Sequence, residues 1–152
     1  MPPPQLRLDV RRTGRRQQEV ELVLDVPSDL GYVGEAVELV ARHCPAGILS
    51  PRRIEFNLRT ALAEALANAI LYGNGQDPTK HVQVRVETAP DAVRLHVSDE
   101  GGGFDPTGLP DPTSPDNLER EDGRGLFVMQ HLVDDVTFNA KGNAICLTFL
   151  AG

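Results

Sequence analysis

The stretch Glu64-Ala-Leu-Ala-Asn68 lies within the most regular apolar pattern of the chain. The residues around it recur at helical spacing, and Ser50-Pro51 supplies a capping residue followed by proline at the first helical position. We therefore predict a long helix that begins near Ser50 and ends by Gly73-Asn74-Gly75. Its apolar stripe consists of Ile54, Leu58, Ala61, Leu62, Ala65, Leu66 and Ala69.

Two polar side chains lie at the margin of this stripe. Glu64 and Asn68 are four residues apart, so they occupy one face of the helix on successive turns. Their neighbours Ala61 and Ala65 are small, which leaves room for a ligand. The alternative is an exposed glutamate beside an ordinary polar rim residue.

The segment Asp99-Glu-Gly101-Gly-Gly103 is the second group of interest. Asp99 continues the alternation of the preceding apolar residues, so its carboxylate is expected on the apolar side, where it needs a hydrogen-bonded partner. Gly101 and Gly103 remove side chains where another group could approach the backbone closely. The alternative is an Asp-Gly turn that leaves a strand.

The third group, Gly123-Arg124-Gly125-Leu126, precedes a short apolar pattern that predicts a helix. Free backbone N–H groups at a helix start favour anions, and glycine lets phosphate oxygens approach them. Arg124 would add a charge contact or face solvent. Before this group, residues 106–122 contain four prolines and no periodicity, which is typical of a disordered or a functional segment.

The remaining pattern predicts hairpins and one more helix. Alternating residues predict a first hairpin around Thr13-Gly14, a second pair of strands joined at Ala89-Pro90-Asp91, and a closing hairpin around Lys141-Gly142-Asn143. Ser28 or Asp29 would cap a helix that ends near Cys44-Pro45. Because the helices and strands are grouped, we predict an α+β, two-layer sandwich with helices on one face of a mixed, mostly antiparallel sheet.

Composition narrows the class of protein. A chain of 152 residues fits one domain, and a net charge of -7 argues against general affinity for nucleic acid. No apolar run reaches membrane-spanning length, and the first residues lack the pattern of a secretory signal. Cys44 and Cys146 are too few for a disulfide framework or a zinc site. We therefore expect a cytoplasmic protein without direct nucleic-acid or membrane contact. The four scattered histidines, His43, His81, His96 and His131, are expected to be surface or rim residues rather than ligands.

In their order and spacing, the three polar segments resemble the three nucleotide-binding boxes of the GHKL ATPase superfamily. The resemblance covers roughly residues 18 to 150 and is closest to the anti-sigma factor serine kinases of the RsbW and SpoIIAB type. It implies the Bergerat ATP-binding fold, with a kinase domain at residues 18–152, a lid at about 105–122 and a basic extension or hairpin at residues 1–17.

The resemblance also implies roles for individual residues. Glu64 would take the proton from the attacking hydroxyl, Asn68 would bind Mg²⁺, and Asp99 would accept a hydrogen bond from the adenine amine of ATP. The expected nucleotide-binding residues are Asn68, Asp99, Gly101, Gly103, Gly123, Arg124, Gly125 and Leu126. Two positions depart from the family pattern: residues 70–74 lack the frequent histidine or basic residue, and Asn143 replaces a frequent threonine.

The function implied by the resemblance is that of a serine/threonine protein kinase with two protein partners. It would phosphorylate a small anti-sigma factor antagonist of STAS type and hold a sigma factor, as a possible homodimer. The first alternative is a nucleotide-gated binding module with weak catalysis. The second, the catalytic domain of a two-component histidine kinase, is disfavoured because only about fifty residues precede the long helix, with His43 their single histidine.

Five arginines near the start of the chain lie outside the resemblance. Their ordinary interpretation is a solvated hairpin tip, and the alternative is a basic patch that docks an acidic partner. They are Arg7, Arg11, Arg12, Arg15 and Arg16.

Overall fold

A six-stranded sheet with helices on one face forms the protein, as the sequence pattern predicts. The structure, a computed structural model, describes residues 5–101 and 129–152. The strands are β1 Arg7–Arg12, β2 Val20–Pro27, β3 His81–Ala89, β4 Ala92–Ser98, β5 Asp135–Phe138 and β6 Ala144–Leu150. The fold class is confirmed.

The strand order is β1-β2-β3-β4-β6-β5, and every pairing in it is antiparallel. The described sheet is therefore antiparallel rather than mixed. All three predicted hairpins are present, because β1 pairs with β2, β3 with β4, and β5 with β6. Strand β6 lies between β4 and β5, so the last strand in sequence is an inner strand next to the edge strand β5.

Two of the three predicted helices are present, and residues 129–132, the described part of the third, are helical. A short 3-10 turn, Leu30–Tyr32, leads into α1, Val33–His43, and the Asp29 carboxylate caps this turn by accepting from the Gly31 N–H at 2.8 Å. The second helix is continuous over residues 51–73, and its start is capped by the Ser50 hydroxyl.

This long helix changes its winding along its length. The α-helical part, α2, is Arg59–Asn68, and wider π-helical turns flank it at Arg53–Leu58 and Ala69–Gly73. Turns of this kind are rare and often occur at functional sites.

The core lies between the helices and one face of the sheet. Strands β2, β3, β4 and β6 contribute alternate residues to it, and α1 and the long helix cover them. Cys44 is buried in this core, and burial raises the pKa of its thiol to about 11. Cys146 is only half-buried, and both cysteines are free.

The N-terminal arginines lie on and beside β1, the edge strand of the same sheet. Arg11 pairs with Glu21 at 3.0 Å, while Arg7, Arg12, Arg15 and Arg16 are exposed. The division of the chain at residue 17 stays a prediction, and the expected lid at 105–122 lies outside the described residues. Within the described ranges, no helix is long and apolar enough to cross a membrane.

Candidate functional site

Asp99 follows directly after β4 and is held from the side of β6. Its backbone N–H donates to the Asn143 carbonyl at 2.9 Å, and the Asn143 side-chain amide donates to the Asp99 carbonyl at 3.3 Å. The partner of the Asn143 side-chain N–H is therefore the protein backbone at Asp99. The turn therefore has a fixed position relative to the sheet.

The other side of the turn packs against the end of the long helix. A Cβ added to Gly73 would overlap the Asp99 carboxylate, and one added to Gly101 would overlap the Gly73 carbonyl oxygen. Gly101 also donates its N–H to Asp99 Oδ1 at 2.8 Å. The sequence predicted a close approach at Gly101, and the approaching group in the described chain is the helix end.

The environment of Asp99 disfavours its charged form. The carboxyl is half-buried, and desolvation raises its pKa, while the Gly101 N–H and the more distant Lys141 and Lys80 oppose this rise. A partly desolvated carboxylate is a strong acceptor for a donor that enters the site, because water competes less for it. Asp99 thus has the properties expected of a ligand anchor.

Glu64 and Asn68 lie on α2, one turn apart, and both are half-buried. Among the described residues, neither side chain forms a hydrogen bond or an ion pair. Asn68 precedes Gly73 by five residues and Glu64 precedes it by nine, so they lie about 7 Å and about 13 Å back along the helix axis. The order along the helix is therefore the Asp99 turn, then Asn68, then Glu64.

Residues that follow the third predicted segment return to the first turns of the same helix. The Asn57 amide donates to the Leu132 carbonyl at 3.0 Å, and Arg53 pairs with Asp134 at 2.8 Å. Met129, which begins the described helical residues 129–132, is buried. Gly103, Gly123, Arg124, Gly125 and Leu126 lie outside the described residues.

Sequence reasoning missed Asn74 as a site residue. It was expected only to end the long helix, yet its side chain is buried and its Oδ1 accepts from the Glu100 N–H at 2.8 Å. No local signal distinguishes such an asparagine from the many that end helices in a Gly-Asn-Gly turn.

In the part of the chain that the structure describes, the histidines and acidic residues do not form a metal cage. His81 contacts Asp25, His96 contacts Glu87 and His43 contacts the Leu39 carbonyl. Over residues 5–101 and 129–152, no group of three or more His, Cys, Asp or Glu could hold a metal ion. The Asn68 oxygen fits a Mg²⁺ that is bound mainly by nucleotide phosphates and water, since Mg²⁺ commonly takes few protein ligands in such sites.

Comparison with known proteins identifies the family to which the chain belongs. Residues 26–149 match the family model described as the histidine kinase-like ATPase domain. The chain is 28% identical to the serine-protein kinase RsbW of Oceanobacillus iheyensis over 126 residues, which cover 76% of this chain and 77% of the relative. It is 27% identical to the serine-protein kinase RsbW of Bacillus subtilis over 136 residues, or 82% of each chain.

A third relative carries a different name. The anti-sigma F factor of Geobacillus thermodenitrificans is 34% identical over 89 residues, which are 57% of this chain and 60% of that protein. The match with the family model covers most of the chain, and the relatives come from one branch. The chain therefore belongs to the histidine kinase-like ATPase family, in the branch of the GHKL superfamily that contains the anti-sigma factor kinases.

Proposed function

We propose that this protein is an ATP-dependent serine/threonine protein kinase of anti-sigma factor type. Its substrate is a hydroxyl group on a small anti-sigma factor antagonist of STAS type, and its second partner is a sigma factor. Phosphorylation of the antagonist then decides which partner the kinase holds. The names of the relatives support a kinase and an anti-sigma factor, and the residues described below carry the finer assignment.

The observation that carries the proposal is the contact between Asp99 and Gly73. It joins a half-buried carboxylate to the end of the helix that bears Asn68 and Glu64. An adenine anchored at Asp99 would direct its phosphates along the helix toward Asn68, with Glu64 beyond them. The axial spacing of about 13 Å between the Gly73 turn and Glu64 suits an extended nucleotide.

Each of these side chains has one role in the proposed reaction. Asp99 accepts from the adenine amine and orients the base. The Asn68 oxygen is a ligand of Mg²⁺, which neutralises phosphate charge when ATP is bound. Glu64 accepts the proton of the substrate hydroxyl as the hydroxyl oxygen bonds to the γ-phosphorus and the bond to the β–γ bridging oxygen breaks. The products are a phosphorylated partner and ADP.

The rest of the proposal concerns residues outside the described ranges and the assembly. We assign the phosphate cradle to Gly103, Gly123, Arg124, Gly125 and Leu126, together with the described Gly101, and a lid to residues 105–122. A cytoplasmic location, expected from the composition, and a homodimer, implied by the resemblance to the family, complete the proposal.

Transfer of the labelled γ-phosphate from Mg-ATP into proteins of the host lysate tests the function. We expect wild type to label one small protein on serine or threonine, and Glu64→Gln to lower the rate by about 100-fold or more. ATP affinity should stay within about 3-fold, because Glu64 acts on the hydroxyl rather than on the nucleotide. Glu35→Gln, which changes an exposed acid in the first turn of α1, is the matched control and should label normally.

Two results would contradict this assignment. If Glu64→Gln labels the substrate protein at the normal rate, the assignment of Glu64 as the base is wrong. An absence of labelling by wild type, with ATP binding intact, would instead favour the nucleotide-gated binding module.

A further inference from the structure

The side-chain amide of Asn74 forms three hydrogen bonds, although the residue lies in a turn. The residue is 3% exposed. Its Nδ2 donates to the Ser28 hydroxyl at 2.8 Å and to the His81 carbonyl at 2.9 Å, and its Oδ1 accepts from the Glu100 N–H at 2.8 Å. One amide thus connects the end of the long helix to β2, β3 and the Asp99 turn.

The orientation of this amide follows from its partners. The Ser28 hydroxyl donates its hydrogen to the Lys80 carbonyl at 2.7 Å, so it can only accept from Asn74. The His81 carbonyl is likewise an acceptor. Nδ2 must therefore face these two groups, and Oδ1 is left to face the Glu100 N–H.

The bond to Glu100 is the one through which Asn74 reaches the site. Glu100 adjoins Asp99, and the Glu100 carboxylate accepts from the His81 N–H, which closes a ring of three residues with Asn74. On its other side, the backbone of Asp99 is held by Asn143. Loss of the Asn74 oxygen would remove the partner of the Glu100 N–H. The turn would then keep its packing against Gly73, its hydrogen bonds to Asn143 and the bond of the Glu100 carboxylate to the His81 N–H.

We propose that Asn74 is a positioning residue for base recognition: through the Glu100 N–H, it sets the Asp99 carboxylate in the position that accepts from the adenine amine. The inference rests on the proposed function, since it takes Asp99 as the adenine anchor. It adds a buried amide that positions the carboxylate by which the site selects adenine.

The chain offers a control that separates positioning from plain structural support. Ser28 is also buried, and it shares the network on the side away from the Asp99 turn. Ser28→Ala removes two hydrogen bonds, those to Asn74 and Lys80, and leaves the bond between Asn74 and Glu100 intact. A loss of function that reflects only weaker structure should therefore appear in both variants.

Calorimetric titration with two nucleotides tests the proposal. One is ATP, and the other is purine riboside 5′-triphosphate, which carries hydrogen in place of the exocyclic amine. Wild type should bind ATP at least about 10-fold more tightly, as expected for a hydrogen bond to a charged acceptor. Asn74→Ala should reduce this preference to about 2-fold or less while the affinity for the analogue changes by less than about 3-fold. Ser28→Ala should keep the wild-type preference.

The outcomes distinguish this inference from the function on which it rests. The positioning role would be overturned if Asn74→Ala lost equal affinity for both nucleotides, or if it kept the wild-type preference for ATP. A wild type without preference for ATP would overturn the Asp99 anchor as well. If Asn74→Ala does not fold, Asn74→Ser replaces it, because the shorter hydroxyl keeps a polar group but does not reach Glu100, and the same loss of preference is expected.

Discussion

The carboxylate of Asp99 lies directly against the α-carbon of Gly73, with no space between them for a methyl group. The two residues are 26 positions apart in sequence and belong to different layers of the fold. Their contact makes the end of the long helix and the end of β4 one unit. A larger side chain at Gly73 should consequently act on nucleotide binding and on stability together.

Gly73→Ala should disturb both properties. The new methyl group would push the Asp99 carboxylate out of place, so we expect ATP affinity to fall by about 10-fold or more and the free energy of unfolding to fall by about 1–3 kcal/mol. Calorimetric titration and urea unfolding measure the two effects.

Gly34→Ala is the matched control for this substitution. Gly34 lies in α1 with open space at its Cβ position, so alanine should raise the free energy of unfolding by about 0.5 kcal/mol and leave ATP binding unchanged. Equal behaviour of the two variants would show that the contact between Gly73 and Asp99 is unimportant.

Asp99→Asn should separate binding from stability. The amide keeps an oxygen for the Gly101 N–H but carries no charge, so ATP affinity should fall by about 10-fold or more. The free energy of unfolding at pH 7 should stay the same or rise, because the raised pKa of Asp99 means that its ionised form is disfavoured in the folded protein.

The pH dependence of this effect has a defined sign. At a pH below about 3.9, the pKa of aspartate in the unfolded chain, Asp99 is protonated in both the folded and the unfolded protein. It then does not lower the free energy of unfolding. The loss of stability develops as the pH rises from the unfolded pKa through the raised folded pKa, and it is constant above the folded pKa. Urea unfolding should therefore show that Asp99→Asn raises the free energy of unfolding more at pH 7 than at pH 4. A rise in the free energy of unfolding that is confined to pH 4 would contradict the raised pKa of Asp99.

Asn68→Ala should weaken the effect of Mg²⁺ on ATP binding. Removing the amide oxygen takes away the proposed protein ligand, so the gain in ATP affinity on adding Mg²⁺ should shrink by about 10-fold. Binding measured in EDTA should be nearly unchanged. Asn57→Ala, on the same helix but bonded to the Leu132 carbonyl, should retain the normal gain. If Mg²⁺ raises the ATP affinity of Asn68→Ala as much as that of wild type, the metal is bound by other groups than Asn68.

The two cysteines should differ in reactivity. Burial holds the pKa of Cys44 at about 11, so little of its thiol is ionised at pH 8, whereas Cys146 is partly accessible. Iodoacetamide at pH 8 should modify native protein mainly at Cys146, and both residues should react in urea. Peptide mass spectrometry gives the two rates, and fast native modification of Cys44 would argue against its burial.

The sequence was informative wherever a repeating pattern faced the core. Alternation predicted the strands, and the apolar stripe with Ser50 predicted the long helix together with the face that carries Glu64 and Asn68. The apolar side of β4 predicted that Asp99 would be partly buried. The glycines predicted a close approach but could not show that Gly73 is what approaches Gly101.

Asn74 shows the limit of such reasoning. Its partners Ser28 and Glu100 are 46 and 26 residues away, so the network exists only once strands β2, β3 and β4 are aligned. The π-helical turns at both ends of the long helix were also not predicted, because an apolar stripe with a period near 3.6 does not reveal a local change in winding.

The insertion of β6 between β4 and β5 has a consequence for how the protein is made. Asn143, which holds the backbone of Asp99, precedes that strand and leaves the ribosome 44 residues after Asp99 itself. A growing chain therefore cannot complete the Asp99 turn until these 44 residues have also been synthesised. If this turn holds the base as proposed, ATP would stabilise chains that extend past Asn143 and offer nothing to shorter ones, so the nucleotide should act on a late step of folding rather than on its early steps.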